Sequence, residues 1–183
     1  MKRTKLVNLM LCAFFVAIAA ILAQIQIPIG TVPVNFVHIA IFMSAALLGK
    51  WWGSLSMLVY VLLGAAGTPV FSGFLGGISI IAGPTGGFIV GYILCAFVTG
   101  LVIEKLGCRI VPLIVAILLG WVVTYIPGLL WFMYVTGTPS FLSALLWCFV
   151  PFIPGDVIKS VLCIVLIPRL RPLVAKRAET KAG

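Results

Sequence analysis

Six apolar runs, each broken from the next by proline, glycine or charge, leave this chain few ways to fold. They span residues 6–27, 34–49, 52–66, 86–103, 111–134 and 149–167. Only 8% of the 183 residues are charged and 63% are hydrophobic. A soluble domain carries about 25% charged residues, so this chain has too few to cover a water-facing surface. Long Leu/Ile/Val runs and 11% aromatics also exclude a disordered chain. The expectation is an all-α membrane protein, one integral membrane domain over residues 1–183 with six transmembrane helices. The second and third runs are short for a hydrocarbon layer of about 30 Å at about 1.5 Å rise per residue. Loops folding back over them can accommodate that.

Charge placement orients the spans. Lys2, Arg3 and Lys5 precede the first run, and Lys50 separates the second from the third. Glu104, Lys105 and Arg109 separate the fourth from the fifth, while Arg169, Arg171, Lys176, Arg177 and Lys181 follow the sixth. With both termini cytoplasmic, eleven of the twelve basic residues obey the positive-inside rule. That places the chain as a multi-pass protein of a bacterial-type plasma membrane, with the lipid bilayer as its first partner. The net charge of +9 does not point to nucleic acid, because the charges lie between apolar runs and form no patch. The first run is longer than a usual signal-peptide core and is expected to stay in place. Cysteines 12, 95, 108, 148 and 163 are odd in number and lack CxxC spacing, so they read as small hydrophobes.

Lys159 breaks the charge rule, and Asp156 stands three residues before it in Pro154-Gly155-Asp156-Val157-Ile158-Lys159. That spacing puts both side chains on one helix face, in the outer half of the last span. A lone charge at the centre of a membrane helix costs about 2.5–3.5 kcal/mol. Pairing offsets part of this, yet a buried pair is often no more stabilising than apolar residues of the same volume. Asp156 and Lys159 are therefore expected to bind a ligand. Acceptors beside donors suit a neutral polar group such as a urea, amide or heterocycle.

The stretch between the third and fourth runs, residues 67–85, is long, apolar and rich in glycine, and is expected as an extracellular loop packed into the protein. Gly73, Gly83 and Gly86 are among the glycines that let main chain approach something small. Pro84-Thr85-Gly86-Gly87 reads as a helix start whose N–H groups can hold a carboxylate. No GxxxxGK[ST] sequence occurs, which excludes ATP hydrolysis by a P-loop. In the first run, Ala13 and Ala17 form a small-xxx-small stripe continued by Ala20, suited to close approach of another helix. Gln24, Gln26, Asn35 and His38 fall on the outer side, His38 as a hydrogen-bonded surface residue. No catalytic triad, metal site or charged relay is present in the pattern, so neither an enzyme nor a proton pump is expected.

Taken in order, Val32-Pro33-Val34, Gly67-Thr68-Pro69-Val70-Phe71-Ser72-Gly73, Gly83-Pro84-Thr85-Gly86-Gly87-Phe88 and Pro154-Gly155-Asp156-Val157-Ile158-Lys159 resemble the BioY family. These are the biotin-specific substrate-binding subunits of energy-coupling factor transporters. The resemblance implies a six-helix subunit that captures biotin, without a cofactor, alongside a transmembrane coupling subunit and two ABC-type ATPases. It implies that Asp156 and Lys159 face the biotin ureido ring, that Ala13 and Ala17 dock the coupling subunit, and that the glycine-rich loop covers the ligand. An arginine that helps hold the biotin carboxylate in some members has no counterpart, since no basic residue lies between Lys50 and Lys105. Neutral donors then take that part: Ser79, Thr85 or loop amides, with Asn35 or Gln26. Two other readings stay open, a subunit of the same architecture for another vitamin and a solitary proton-coupled transporter.

Overall fold

The computed structural model describes residues 5–27, 34–138 and 140–179, with side chains through Pro172. Lys2, Arg3 and Lys181, and the Val32-Pro33 part of the resemblance, lie outside the described residues.

The elements, in chain order, are helix α1 (Lys5–Gln24), strands β1 (Gln26–Ile27) and β2 (Val34–Asn35), and helices α2 (Val37–Leu48) and α3 (Lys50–Ala65). They continue with a short α4 (Ile78–Ala82), α5 (Gly86–Leu106), α6 (Ile110–Thr136), α7 (Phe141–Cys148), a 3-10 turn at Val150–Phe152 and α8 (Ile153–Glu179). The chain is nearly all helical, as expected, with apolar helices fitting a membrane protein. By length and composition, four segments among the described residues can cross a bilayer: α1, α5, α6, and 141–172, which takes in α7 and most of α8. At 12 and 16 residues, α2 and α3 run only about 18 and 24 Å. Helix length and composition alone thus give four of the six expected spans.

Local chemistry moves several boundaries. The first helix stops at Gln24, three residues short of the end of the first run. Gln26 and Ile27 instead pair antiparallel with Asn35 and Val34. The last run, 149–167, opens in the 3-10 turn that holds Pro151 and becomes helix at Ile153, while α7 before it falls outside the expected runs. Pro154 is tolerated in the first turn of α8, where its missing N–H costs nothing. The loop at 67–85 is not featureless: it holds α4 and an antiparallel bridge between Phe71 and Leu75. Phe71 is buried with its ring edge-on to Tyr60 of α3, which anchors the loop to the helices as its apolar content predicts.

Opposite ends of the molecule separate cleanly. At one end Lys50 Nζ meets Glu104 Oε2 at 3.0 Å, and the Lys50 N–H donates to Glu104 Oε1 at 2.9 Å. The turns joining α2 to α3 and α5 to α6 thus share that end. The loop lies at the other end, one helix length away. There Asn35 Nδ2 donates to Ser72 Oγ at 2.8 Å, bringing β2 to the loop.

Close helix contact relies on missing side chains. A Cβ at Gly100 of α5 would stand 2.5 Å from Lys50 Cα and 2.6 Å from Lys50 N, main-chain atoms with no rotamer to yield. Overpacking of this kind costs about 1–3 kcal/mol. Gly100→Val is expected to lower the thermal unfolding midpoint of the detergent-purified protein by several degrees, and an unchanged midpoint would refute the contact.

Candidate functional site

Asp156 lies in the first turn of α8, where the positive end of the helix dipole favours a carboxylate, and Lys159 follows one turn later. Their side chains meet at 2.6 Å with only 12% and 3% of their surface exposed. Three groups from two other elements complete the pair. Tyr125 of α6 donates to Asp156 Oδ2 at 2.5 Å, and Lys159 Nζ donates to the Asn35 carbonyl of β2 at 3.0 Å. The ammonium also lies 5.1 Å from the centre of the Trp121 ring, within the range of a cation–π contact. A buried ion pair is tolerable only with such extra partners, since desolvation costs several kcal/mol per ion.

Two adjoining chambers lie near this pair, which lines only the smaller one. The inner one, about 40 Å³, is bounded by Val34, His38, Trp121, Thr124, Phe152 and the Asp156–Lys159 pair, among others. The outer one, about 300 Å³, lies beneath the loop, with Tyr60, Ser72, Ser79, Ile80, Gly83 and Thr85 among its walls. Asn35, Phe88 and Tyr92 line both. The result is an elongated pocket with polar charge at its inner end, aromatic walls, and neutral hydroxyls near the loop. Its outer volume is in the usual range for small-molecule sites, about 300–1,000 Å³.

A larger apolar cleft, about 660 Å³, opens between α6, α7 and α8. It touches Asp156 and Tyr125 from behind, but its polar groups are already spent on one another. Trp121 Nε1 donates to Ser160 Oγ at 3.1 Å, and Ser160 Oγ donates to the Asp156 carbonyl at 2.7 Å. Those bonds engage the Trp121 N–H and the Ser160 hydroxyl, so the cleft walls are mainly apolar.

Known proteins are similar to this chain in sequence and fold. A BioY family model matches residues 1–176. The chain belongs to the BioY family. Relatives include the biotin transporter BioY of Thermotoga maritima, 37% identical over 177 residues that make up 93% of this chain and 99% of that one. The probable biotin transporter BioY of Pyrococcus horikoshii is 36% identical over 161 residues, 88% of this chain and 94% of that one. A crystal structure of the S-component for biotin from an ECF-type ABC transporter superposes with a TM-score of 0.85 at 31% identity, covering 92% of each chain.

Within this BioY-family chain the fold gathers some of the sequence-derived residues and disperses others. Asp156, Lys159, Asn35, Ser79, Thr85 and Gly83 line one chamber or the other. Gly73 instead sits exposed in a turn of the loop at φ +77°, and Gly86 is buried against the Ile81 carbonyl and Trp131. Neither lines a chamber, so both serve loop and helix geometry. Asn35 is a junction more than a free donor: beyond its bonds to Ser72 and Lys159, its Oδ1 caps the Val37 N–H at 3.2 Å. Gln24 binds the loop itself, donating to the Phe71 carbonyl at 3.1 Å and accepting from the Phe74 N–H at 2.8 Å. His38 is not at the surface as expected, but buried at 8% exposure.

Sequence reasoning missed Tyr60, Tyr92, Tyr125, Trp121, Phe88 and Ser72. Three of the chain's four tyrosines line the chambers, and a phenol inside an apolar run is a signal that was there to be used. Removing one member of a buried pair strands the other charge and costs about 3–5 kcal/mol, while replacing both by apolar groups is often near neutral. Lys159→Met is therefore expected to lower thermal stability markedly, and the double variant Asp156→Leu/Lys159→Met to recover most of it. Equal loss in both would mean that the pair is not acting as a unit.

Proposed function

We propose that this chain captures biotin as the substrate-binding subunit of an energy-coupling factor importer in the plasma membrane. The observation that carries this reading is a carboxylate and an ammonium side by side at the inner end of an otherwise apolar pocket. A cyclic urea presents N–H beside C=O, so Asp156 accepts from the ring N–H while Lys159 donates to the carbonyl. Aromatic walls at Tyr92, Phe88 and Trp121 suit the apolar bicycle. The valerate tail then extends beneath the loop, where Ser72, Ser79, Thr85 and Asn35 offer neutral donors and no lining residue is Lys or Arg. The biotin transporters and biotin S-component to which this chain is similar support the same ligand.

In this reading all six long helices span the bilayer, with α2 and α3 as short spans and both termini cytoplasmic. The meeting of Lys50 with Glu104 supports that topology, because it puts two basic turns at one end. The glycine-rich loop forms the outer cover. Energy comes from two ABC-type ATPases through a transmembrane coupling subunit. Helix α1 provides the docking face, since Met10, Ala13, Phe14, Ala17 and Ile21 fall in one exposed stripe at helical spacing. Small residues at Ala13 and Ala17 let a partner helix approach closely.

Calorimetry on the detergent-purified chain is expected to show tight biotin binding, weaker binding of desthiobiotin, and none of thiamine. Asp156→Asn is expected to weaken biotin by at least about tenfold, as loss of a hydrogen bond to a charged group costs about 1.5–3 kcal/mol. Thiamine binding in place of biotin would transfer the reading to another vitamin. For the docking face, Ala13→Trp is expected to leave biotin binding unchanged and to abolish uptake in cells that carry the partner subunits. Normal uptake by that variant would move the docking face elsewhere.

A further inference from the structure

His38 stands in the first turn of α2, 92% buried, and borders the same inner chamber as Asp156 and Lys159. Its ring lies 4.2 Å from the Trp121 ring at 31°, 5.2 Å from Tyr92 edge-on and 6.1 Å from Phe42. These rings hold the imidazole in place but satisfy none of its polar atoms. Neither Nδ1 nor Nε2 has a hydrogen-bond partner among the described residues. Leaving a buried polar group unpaired costs about 1–3 kcal/mol, so an orphan imidazole facing a polar chamber needs a reason.

The neighbouring groups supply one. Asp156 Oδ2 is engaged by Tyr125, the Asn35 carbonyl by Lys159, and the Thr124 hydroxyl donates to the Gly120 carbonyl. The Asp156–Lys159 pair matches one edge of a cyclic urea, a single N–H beside the C=O. The second N–H lies on the far side of that carbonyl and needs an acceptor of its own. A neutral imidazole carries one bare ring nitrogen that accepts and one N–H that donates. We propose that His38 is a specificity-determining residue for the ligand's head, accepting a hydrogen bond from the second ureido N–H. This rests on the biotin reading above and adds to it a third polar contact, from a different helix.

The test compares binding to the full purified chain of biotin and its two ring carbamates, in which one or the other ureido N–H is replaced by oxygen. Wild type is expected to discriminate against both carbamates by about tenfold or more, one through Asp156 and one through His38. His38→Phe is expected to weaken biotin by a similar factor and to lose discrimination against one carbamate only. His38→Gln, whose amide oxygen still accepts, is expected to fall between the two. A carbamate that binds wild type as tightly as biotin overturns the proposal, as does unchanged discrimination in His38→Phe. Because the first comparison uses wild type alone, it decides even if His38→Phe does not fold. Wild type that binds no biotin overturns the underlying reading as well, whereas tight biotin binding with an indifferent His38 overturns this inference alone.

Discussion

Burial of one carboxylate and one ammonium in a chain with almost no other charge in its apolar runs is the constraint around which the rest is arranged. Water cannot solvate them, so the protein must, and the groups that do so come from separate parts of the chain. Tyr125 reaches from α6, the Asn35 carbonyl from β2 and the Trp121 face from α6, while the pair itself sits on α8. Each of these bonds fixes one element against another. Gly155 allows the approach, because a Cβ there would press to 3.1 Å from Val34. The polar site and the packing of this end of the molecule are therefore one problem with one solution. A satisfied polar network in a low dielectric also holds a single geometry better than apolar contact does.

Around that fixed point the site grades from charge to neutral polarity to apolar cover. The charged groups lie deepest, hydrogen-bonded hydroxyls and Asn35 come next, and the loop closes the far side. The loop is held by bonds that include Gln24 to the Phe71 carbonyl, Phe74 to Gln24, Asn35 to Ser72, Tyr60 to the Val70 carbonyl, Gly77 to the Gly64 carbonyl and Trp131 to the Gly83 carbonyl. Most of these involve backbone carbonyls or amides, so the loop's path is set by main chain and tolerates varied side chains. The deep end, by contrast, depends on side-chain identity at every position.

Much of this was legible in the sequence because the signals were strong and one-dimensional. A charge inside an apolar run is visible without any knowledge of packing, and Asp156 with Lys159 at helical spacing needed no three-dimensional information. The helical class and the existence of a packed, glycine-rich loop followed from the same kind of reasoning. What could not be read was which faces of the helices turn inward. Tyr60, Tyr92 and Tyr125 look alike in the sequence to Tyr134, which is exposed and lines neither chamber. His38 read as a surface residue because it opens a run near a polar end, yet the rings of Phe42, Tyr92 and Trp121 enclose it. Helix ends differed from the runs where strand pairing at Gln26 and Ile27 takes over from α1 and where a 3-10 turn precedes α8.

The two ends of the functional reading differ in kind, and the difference follows from solvent. Recognition of a small polar head needs groups buried away from lipid and water alike, so it falls inside the bundle, at the start of α8. Docking of another membrane helix needs the opposite: an outer face that gains by exchanging lipid for protein. In lipid that gain comes from close van der Waals packing, not from burial of apolar surface, which makes small residues more useful than large ones. On α1, Ala13 and Ala17 are exposed amid Met10, Phe14 and Ile21, while Cys12, Phe15, Val16 and Ala19 are turned into the protein. The inward face of α1 packs on α2 and α3, and Gln24 at its end binds the loop that covers the pocket. One helix thus carries an outer face fit for a partner and an end bonded to the cover of the site.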